Sequence, residues 1–545
     1  MKGLATNMEN ERKSIIKIRG LKHYFPVRGK RDMFVKAVDG VDIDIYDGET
    51  LGIVGESGCG KSTLGRVLLQ LYKQTEGSIL YFGRSIDDIA PLYLRDMAKT
   101  LGKHKKKIAD LDKVYKQRTK ELEEDPENFA KIEALNRARR EYDLAYFPVV
   151  NLFGGMLVKP EIETVKTAYL DFYNAAKKQV AINRRIKAIE LDISEMEYAM
   201  AEHEEKEKAG KVAKLGKKTS MSTNKKTIDG GIFALNVIGP SKLEKLKKIK
   251  ADFEDKAAEA DKVVQEKQRA IDNIRSQYRN DPEFAEHEQH RTDGIDLSLL
   301  TYNEMRWLRS DMQLIFQDPY SSLNPRMTVG QIIGEGMRTH NFFKKNAKRQ
   351  QEFTIEVMEE CGLAPYMLHR YPNQFSGGQR QRIGIARALA VRPQFVVCDE
   401  AVSALDVSIQ SQIINLLQDL REKSNLSYMF ISHDLSVIKF ISDRVGVMYL
   451  GNFVEIAATE KLYANPAHPY TVALIEAIPT TDADGAKKEM KILEGDIPSP
   501  VNPPSGCKFH TRCQYVTDIC KEVTPLLEKI DEGHFVACHH KLNQT

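Results

Sequence analysis

The chain has 545 residues, a formal net charge of +4 and 29% charged residues. That length allows about two to four domains, and the near-balanced charge gives no global argument for a nucleic-acid partner. No run of about 18 apolar residues reads as a membrane span, and Met1–Asn7 lacks the apolar core of a signal peptide. The expected setting is the cytosol, where seven cysteines do not make a disulfide scaffold.

In chain order, residues 14–25 alternate apolar and polar like an edge strand. Val41–Ile45 alternates again and leads through Asp47-Gly48 into an apolar run, Thr50–Val54. Gly55-Glu56-Ser57-Gly58-Cys59-Gly60-Lys61-Ser62-Thr63 follows, and Leu64–Leu69 reads as the opening of a helix. This is G-x-x-x-x-G-K-[ST] in the strand–loop–helix setting it requires. Three glycines let backbone N–H groups converge on one anion, and the helix N-terminus adds the favourable end of its dipole. Lys61 can reach the β- and γ-phosphates, and the Ser62 hydroxyl can ligate Mg²⁺. Gly77–Gly83 reads as another strand ending in a turn.

From about 85 to 292 the composition turns to Lys, Glu, Ala and Asp with helical periodicity. Ile162, Val165, Tyr169, Phe172, Ala176, Ile186, Ile189, Ile193 and Met196 recur as on one helix face. A second long helix is expected over Ser241–Gln277 and a polar linker over 211–231. Asp125-Pro126-Glu127 and Asp281-Pro282-Glu283 each read as a helix start. The region reads as an inserted helical, coiled-coil-like domain whose charges form a solvated face rather than a binding surface.

Beyond it, strands are expected at Met312–Phe316, Phe395–Cys398, Ser427–Ser432 and Val445–Tyr449, with helices between. Such alternation argues for a mainly parallel sheet covered on both faces. Asp399 and Glu400 close an apolar strand, and strand ends are where open α/β sheets bind ligands. There Asp399 can hold Mg²⁺ through its water shell, and Glu400 can accept a proton from an attacking water. Phe375-Ser376-Gly377-Gly378-Gln379 precedes a helix, a second phosphate-binding surface or an ordinary glycine turn.

The phosphate loop, Gln317, Phe375–Gln379, Cys398-Asp399-Glu400, Ser403–Asp406 and His433 stand in the order of the ABC-type ATPases, which the chain resembles over about 330 residues. Asp318–Met327, Asn465–Thr471 and Pro498–Cys507 narrow the resemblance to the oligopeptide/dipeptide permease ATPases, most like their F-type branch. The resemblance implies a P-loop fold of ABC type: a RecA-like parallel sheet core plus a helical subdomain, with an inserted α-helical domain and a small Cys-rich C-terminal extension. The expected partition is core over 1–87 and 292–470, insertion over 88–291 and extension over 471–545.

The roles implied by the resemblance are these. Lys61 and the loop amides of Gly55 to Thr63 hold ATP, and Ser62, Gln317 and Asp399 surround Mg²⁺. Glu400 is the general base, and His433 contacts the γ-phosphate and the attacking water. Phe25, rather than Tyr24, stacks on adenine. Ser376, Gly377, Gly378 and Gln379 act on the ATP of a second, homologous ATPase subunit, a heterodimer in which Asp406 lies at the seam. Gln317 and the segment after it sense two transmembrane permease subunits, which an extracytoplasmic peptide-binding protein supplies. The chain then sits on the cytoplasmic face of the membrane and powers peptide uptake, with no nucleic acid expected. Ala401 stands where these ATPases usually carry proline, which removes a backbone constraint but no catalytic group.

Three rivals compete with this reading. A DNA-repair or chromosome-maintenance ATPase also carries a helical arm, but after the glutamine loop, whereas here it precedes Gln317. A ribosome-associated factor carries two cassettes, whereas this sequence has one phosphate loop. An inactive cassette would have lost Lys61, Asp399, Glu400 or His433.

Cys507, Cys513, Cys520 and Cys538 are spaced C-x₅-C-x₆-C-x₁₇-C. Four thiolates suit zinc or an iron–sulfur cluster. The resemblance favours a [4Fe–4S] cluster, because peptide-permease ATPases with a similar cysteine set bind one. Zinc, with His510, His539 or His540 as substitutes, and free thiols stay open. Cys59, Cys361 and Cys398 read as core or loop positions. The insertion is expected to be a peripheral docking arm.

Overall fold

The computed structural model describes residues 12–30, 33–126, 128–208, 240–343, 347–478 and 495–542; the linker expected over 211–231 lies outside them. Two sheets form the base. A four-stranded antiparallel sheet has the order β2-β1-β4-β5, with β1 at Ser14–Pro26, β2 at Phe34–Tyr46, β4 at Glu76–Tyr81 and β5 at Ile295–Asp296. Strand β1 is therefore internal, which corrects the edge-strand expectation. One of its polar alternates is not solvated: Lys22 is buried and its ammonium lies 2.5 Å from Glu76 in β4, while Arg19 stays exposed. An ion pair across a ladder leaves the same period-two pattern as a wet face.

The second sheet has the order β11-β12-β10-β9-β3-β8-β7-β6. Its centre is parallel: β3 (Thr50–Val54) lies between β8 (Ser427–Ile431) and β9 (Arg444–Tyr449), with β7 (Phe395–Asp399) and β6 (Met312–Ile315) beyond β8. Every residue of β3, β7 and β8 is buried, the run of apolar residues that a doubly covered parallel sheet needs. Large apolar clusters form around Val396, Phe430 and Ile383 and around Leu51, Ile431 and Leu64. Beyond β9 the sheet turns antiparallel. Leu450 and Gly451, both at positive φ, make the tight turn into β10 (Asn452–Ala458). A hairpin of β11 (Glu528–Asp531) and β12 (His534–Val536) then extends that edge. Nothing in the alternation of strands and helices foretold this antiparallel half.

Helix α1 (Lys61–Leu68) follows the phosphate loop. Between β4 and β5 run α2 (Leu92–Glu123), α3 (Phe129–Phe153), α4 (Ile162–Lys208), α5 (Pro240–Gln277) and α6 (Pro282–Glu288). They bury a cluster of their own around Leu101, Val149, Phe153, Tyr169 and Ile271. Arg275 of α5 bonds the Tyr169 hydroxyl of α4 and pairs with Glu288 at 2.6 Å, which locks the two long helices together. Asp281 caps α6 as expected, accepting from the N–H groups of Glu283 and Phe284. The other expected start is corrected: α3 begins after Asn128, whose side chain accepts from Ala130 and Lys131, while Asp125 accepts from the Asn128 amide instead.

After β6 come α7 (Val329–Thr339), α8 (Ala347–Glu360) and α9 (Gly377–Leu389), a helical layer beside the sheet. Then α10 (Val407–Ser424) precedes β8, and α11 (Leu435–Ile441) follows it. The far end of α4 touches this layer, where the Tyr198 hydroxyl bonds Glu352 and Arg349 bonds Ser194.

Candidate active site

Strand β3 ends at Val54 in the middle of the parallel sheet, and the chain turns at once through three glycines at positive φ. At Gly60, with φ +108°, a Cβ would lie 2.0 Å from the Ala37 carbonyl oxygen, so no side chain fits. The Cys59 carbonyl accepts the Gly451 N–H, which ties the loop to the β9–β10 turn. Lys61 is buried, and its ammonium donates to the carbonyls of Gly55 (2.7 Å) and Glu56 (3.0 Å). Ser62 and Thr63 follow it in the first turn of α1.

Two strands away, β7 delivers Asp399 and Glu400. Asp399 is buried, and its Oδ2 meets Arg66 of α1 at 3.3 Å. Its Oδ1 is buried without a hydrogen-bond partner among the described residues, an acceptor that would suit a cation's water. Glu400 stands at φ +48°, strained for a residue with a side chain. The alanine at 401 is compatible with this, since a proline would drive the residue before it out of the helical regions. The two Glu400 oxygens have different neighbours: Gln317 Nε2 donates to Oε2 at 2.6 Å, and His433 Nδ1 lies 3.5 Å from Oε1. Residues from the ends of β6, β7 and β8 thus meet on one carboxylate.

The other expected residues lie elsewhere. Phe25 packs edge-on to His23 and Tyr72, with ring centres 4.5 and 5.5 Å apart. The Tyr24 hydroxyl is committed to Asp39. Ser376 caps α9 in a reciprocal box with Gln379, and the described bonds of that pair stay within the cap. Gly377 and Gly378 press against α10 and its approach; a Cβ at 378 would sit 2.5 Å from Ile409. Asp406 and Val407 at the start of α10 are exposed, Val407 by 78%. Arg380 of α9 covers the Tyr320 ring at 3.9 Å, and Arg387 donates to the Ser322 carbonyl. The segment after Gln317 therefore packs directly on the Ser376 helix.

Cys507, Cys513, Cys520 and Cys538 line one small cavity with His468, His510, His539 and His540. Among the described residues, no group of three or more His, Cys, Asp or Glu stands ready to hold a metal ion, so the expectation of a formed metal site at these cysteines is not supported. Burial pushes the Cys538 thiol up to about 12 and raises Cys507 and Cys513 as well. Cys59, Cys361 and Cys398, read as core or loop positions, are all buried.

Several neighbours of the site carry no local sequence signal. Arg512 grips Glu56 of the phosphate loop from 456 residues away, with N–O distances of 2.7 and 3.0 Å. The Tyr470 hydroxyl accepts the Glu56 N–H at 2.9 Å. Arg66 could have been suspected from its place on α1, but its partner comes from β7.

Residues 38–165 and 272–403 match the family model described as "ABC transporter", and 454–520 match "Oligopeptide/dipeptide transporter, C-terminal region". The oligopeptide transport ATP-binding protein AppF of Bacillus subtilis is 52% identical over 248 residues, 45% of this chain and 75% of that protein. A peptide import ATP-binding protein of Brucella ovis is 53% identical over 246 residues, 45% of this chain and 77% of its own length.

Proposed function

This chain belongs to the ABC transporter ATP-binding proteins of the oligopeptide/dipeptide group, and from that premise we propose that it is the ATP-hydrolysing subunit of an importer of oligopeptides or dipeptides. The supporting observation is the meeting of Gln317 and His433 on the two oxygens of Glu400, with Asp399 beside them bound to the helix that follows the phosphate loop. In this reading the amides of Gly55 to Thr63 and the Lys61 ammonium hold the phosphates of ATP. Glu400 accepts the proton of the attacking water, which Gln317 and His433 orient. Phe25 stacks on the base. Mg²⁺, held by Ser62, Gln317 and Asp399, would supply charge stabilisation to the phosphates; the unpartnered Asp399 Oδ1 fits that use.

The site is half of a composite one. Ser376, Gly377, Gly378 and Gln379 of one subunit face the ATP of a homologous partner, with Asp406 at the seam. Exposure of the cap and of Val407 fits that use. The partners are a second ATPase subunit in a heterodimer, two transmembrane permeases and, through them, an extracytoplasmic peptide-binding protein. The chain works at the cytoplasmic face of the membrane. We take 1–87 and 292–470 as the ATPase core, 88–291 as an inserted arm and 471–545 as the extension. The DNA-repair alternative is set aside, because 454–520 match a transporter region.

For the cysteine cavity we favour a [4Fe–4S] cluster on Cys507, Cys513, Cys520 and Cys538. His510, His539 and His540 each already bond a protein group through one ring nitrogen, and the four thiols by themselves supply the full ligand set of a cluster. Buried His468 lines the same cavity, and its Nε2 has no partner among the described residues, a donor that cluster sulfur would satisfy. Such a cluster would lend the extension a rigid cross-link or an electron-accepting centre. Anaerobic purification with iron, sulfide and zinc analysis separates cluster, zinc and free thiols.

The main reading is tested by purifying the chain with the membrane proteins it holds and reconstituting them in vesicles with ATP at the chain's side. ATP-dependent accumulation of a labelled oligopeptide is expected. A chain that purifies without membrane partners and drives no peptide uptake overturns it.

A further inference from the structure

We infer that Arg512 is a positioning residue of the nucleotide site, so that the C-terminal extension is a working part of the phosphate loop and not an appendage. The inference rests on the reading of Gly55 to Thr63 as the ATP loop.

The phosphate loop is held at its far end by α1, but its first turn after Gly55 has no secondary structure of its own. Glu56 occupies that turn, and four groups fix it. Arg512 makes a two-pronged pair with its carboxylate, Tyr470 accepts its N–H, and its own carbonyl takes the Lys61 ammonium and the Cys59 N–H. The guanidinium fork suits a carboxylate in both distance and plane. The side chain of Arg512 is 4% exposed and that of Glu56 22%, so solvent screens the pair little. One rigid link therefore joins residue 512 to the carbonyl that competes with phosphate for Lys61.

The segment that carries Arg512 is itself anchored. Lys508 donates to Asp39 at 2.9 Å and to the Leu450 carbonyl at 2.8 Å. Phe509 packs against the touching rings of Tyr449 and Tyr470, each 5.3 Å away by ring centre. Its ends, Cys507 and Cys513, line the cysteine cavity. Residues 507–513 thus form a short strut from that cavity to the loop. A strut of this kind presets the loop for phosphate before ATP arrives, and its loss should appear in binding rather than in chemistry.

The test uses the full chain titrated with ATP and Mg²⁺. Arg512→Gln should raise the KM for ATP about tenfold while kcat stays within about twofold. Arg512→Lys should recover part of the loss, and adding Glu56→Gln to Arg512→Gln should cost nothing more, since either change already breaks the pair. Lys541→Met breaks a tail pair with the exposed Glu528 and should leave the KM unchanged. The inference is overturned if Lys541→Met raises the KM as much as Arg512→Gln, if the two changes at 512 and 56 add, or if no variant moves the KM. Should Arg512→Gln fail to fold, Glu56→Gln and Arg512→Lys carry the same comparison. Failure of the unaltered chain to bind ATP would instead sink the reading of the loop itself.

Discussion

The strand ends around Glu400 and the helical arm of α2 to α6 are held by different means. At the strand ends each residue is placed by partners far away in sequence: Asp399 by Arg66, Glu400 by Gln317 and His433, Glu56 by Arg512. The arm is held chiefly by its own helices: by a separate apolar cluster, by the buried Arg275 that joins Tyr169 and Glu288, and on its surface by exposed pairs such as Lys116–Asp112 and Lys256–Asp252, with Tyr198 and Ser194 at its far end bonding Glu352 and Arg349 of the core. Exposed pairs of this sort contribute about 0–1 kcal/mol each. The candidate site is thus constrained by several distant segments, whereas the arm buries an apolar cluster of its own.

The largest effect should come from Gly60→Ala. The added methyl meets the Ala37 carbonyl and the backbone is at φ +108°, so the loop must move. ATP affinity should fall at least about a hundredfold by calorimetry, with the melting temperature shifted far less. Next, Gln317→Ala and His433→Ala should each lower kcat about a hundredfold while ATP still binds, because each touches the Glu400 carboxylate and neither the phosphate loop. Equal loss of kcat in an arm variant such as Phe153→Ala would break the comparison. That variant should instead cost about 3–5 kcal/mol within the arm, visible as lost helicity below the main unfolding transition.

A third effect concerns pH. Burial lowers His468 to about 4 from an ordinary value near 6.5, with the nearby Glu455 opposing. The unfolded chain takes up this proton first, so stability is present above about pH 6.5 and is lost as pH falls toward 4, by about 3 kcal/mol at most. Buried Asp296, raised to about 6 by desolvation, acts in the opposite direction below that value. The difference between the chain and His468→Asn isolates the histidine: the variant keeps an acceptor for the Tyr470 N–H and should lose less stability between pH 7 and 5. The smallest effect should follow replacement of 88–291 by a short turn. Leu80 and Tyr81 of β4 pair with Asp296 and Ile295 of β5, so a tight connection can close the gap. ATPase activity of the assembled transporter should stay within about threefold, and its loss would mean that the arm's contacts at Arg349 and Glu352 matter to turnover.

Most of the parallel core, and the segments that carry the candidate site, were legible because each is a short motif with its own mechanism: a glycine loop after a buried strand, an apolar strand closed by two carboxylates, a serine and two glycines before a helix. Long helices were legible from their apolar period, as with Val165, Tyr169, Phe172 and Ala176 in α4. What escaped was pairing across distance. Residues 14–25 read as an edge strand because a partner such as Glu76, which pairs with Lys22, is in another strand. The start at Asp125-Pro126 was overridden three residues later by Asn128, whose amide recruits Asp125 as its own acceptor. Arg512 had no local pattern to mark it, since only the folded tail brings it to Glu56.

The most direct measurement is ATP turnover by Glu400→Gln in the complex with its membrane partners. Gln keeps the shape and the contact with Gln317 but cannot take a proton from water. Steady-state hydrolysis should fall by at least about a hundredfold while ATP remains bound and unhydrolysed after rapid gel filtration, and peptide uptake should stop. Unchanged turnover and uptake in this variant would contradict the account.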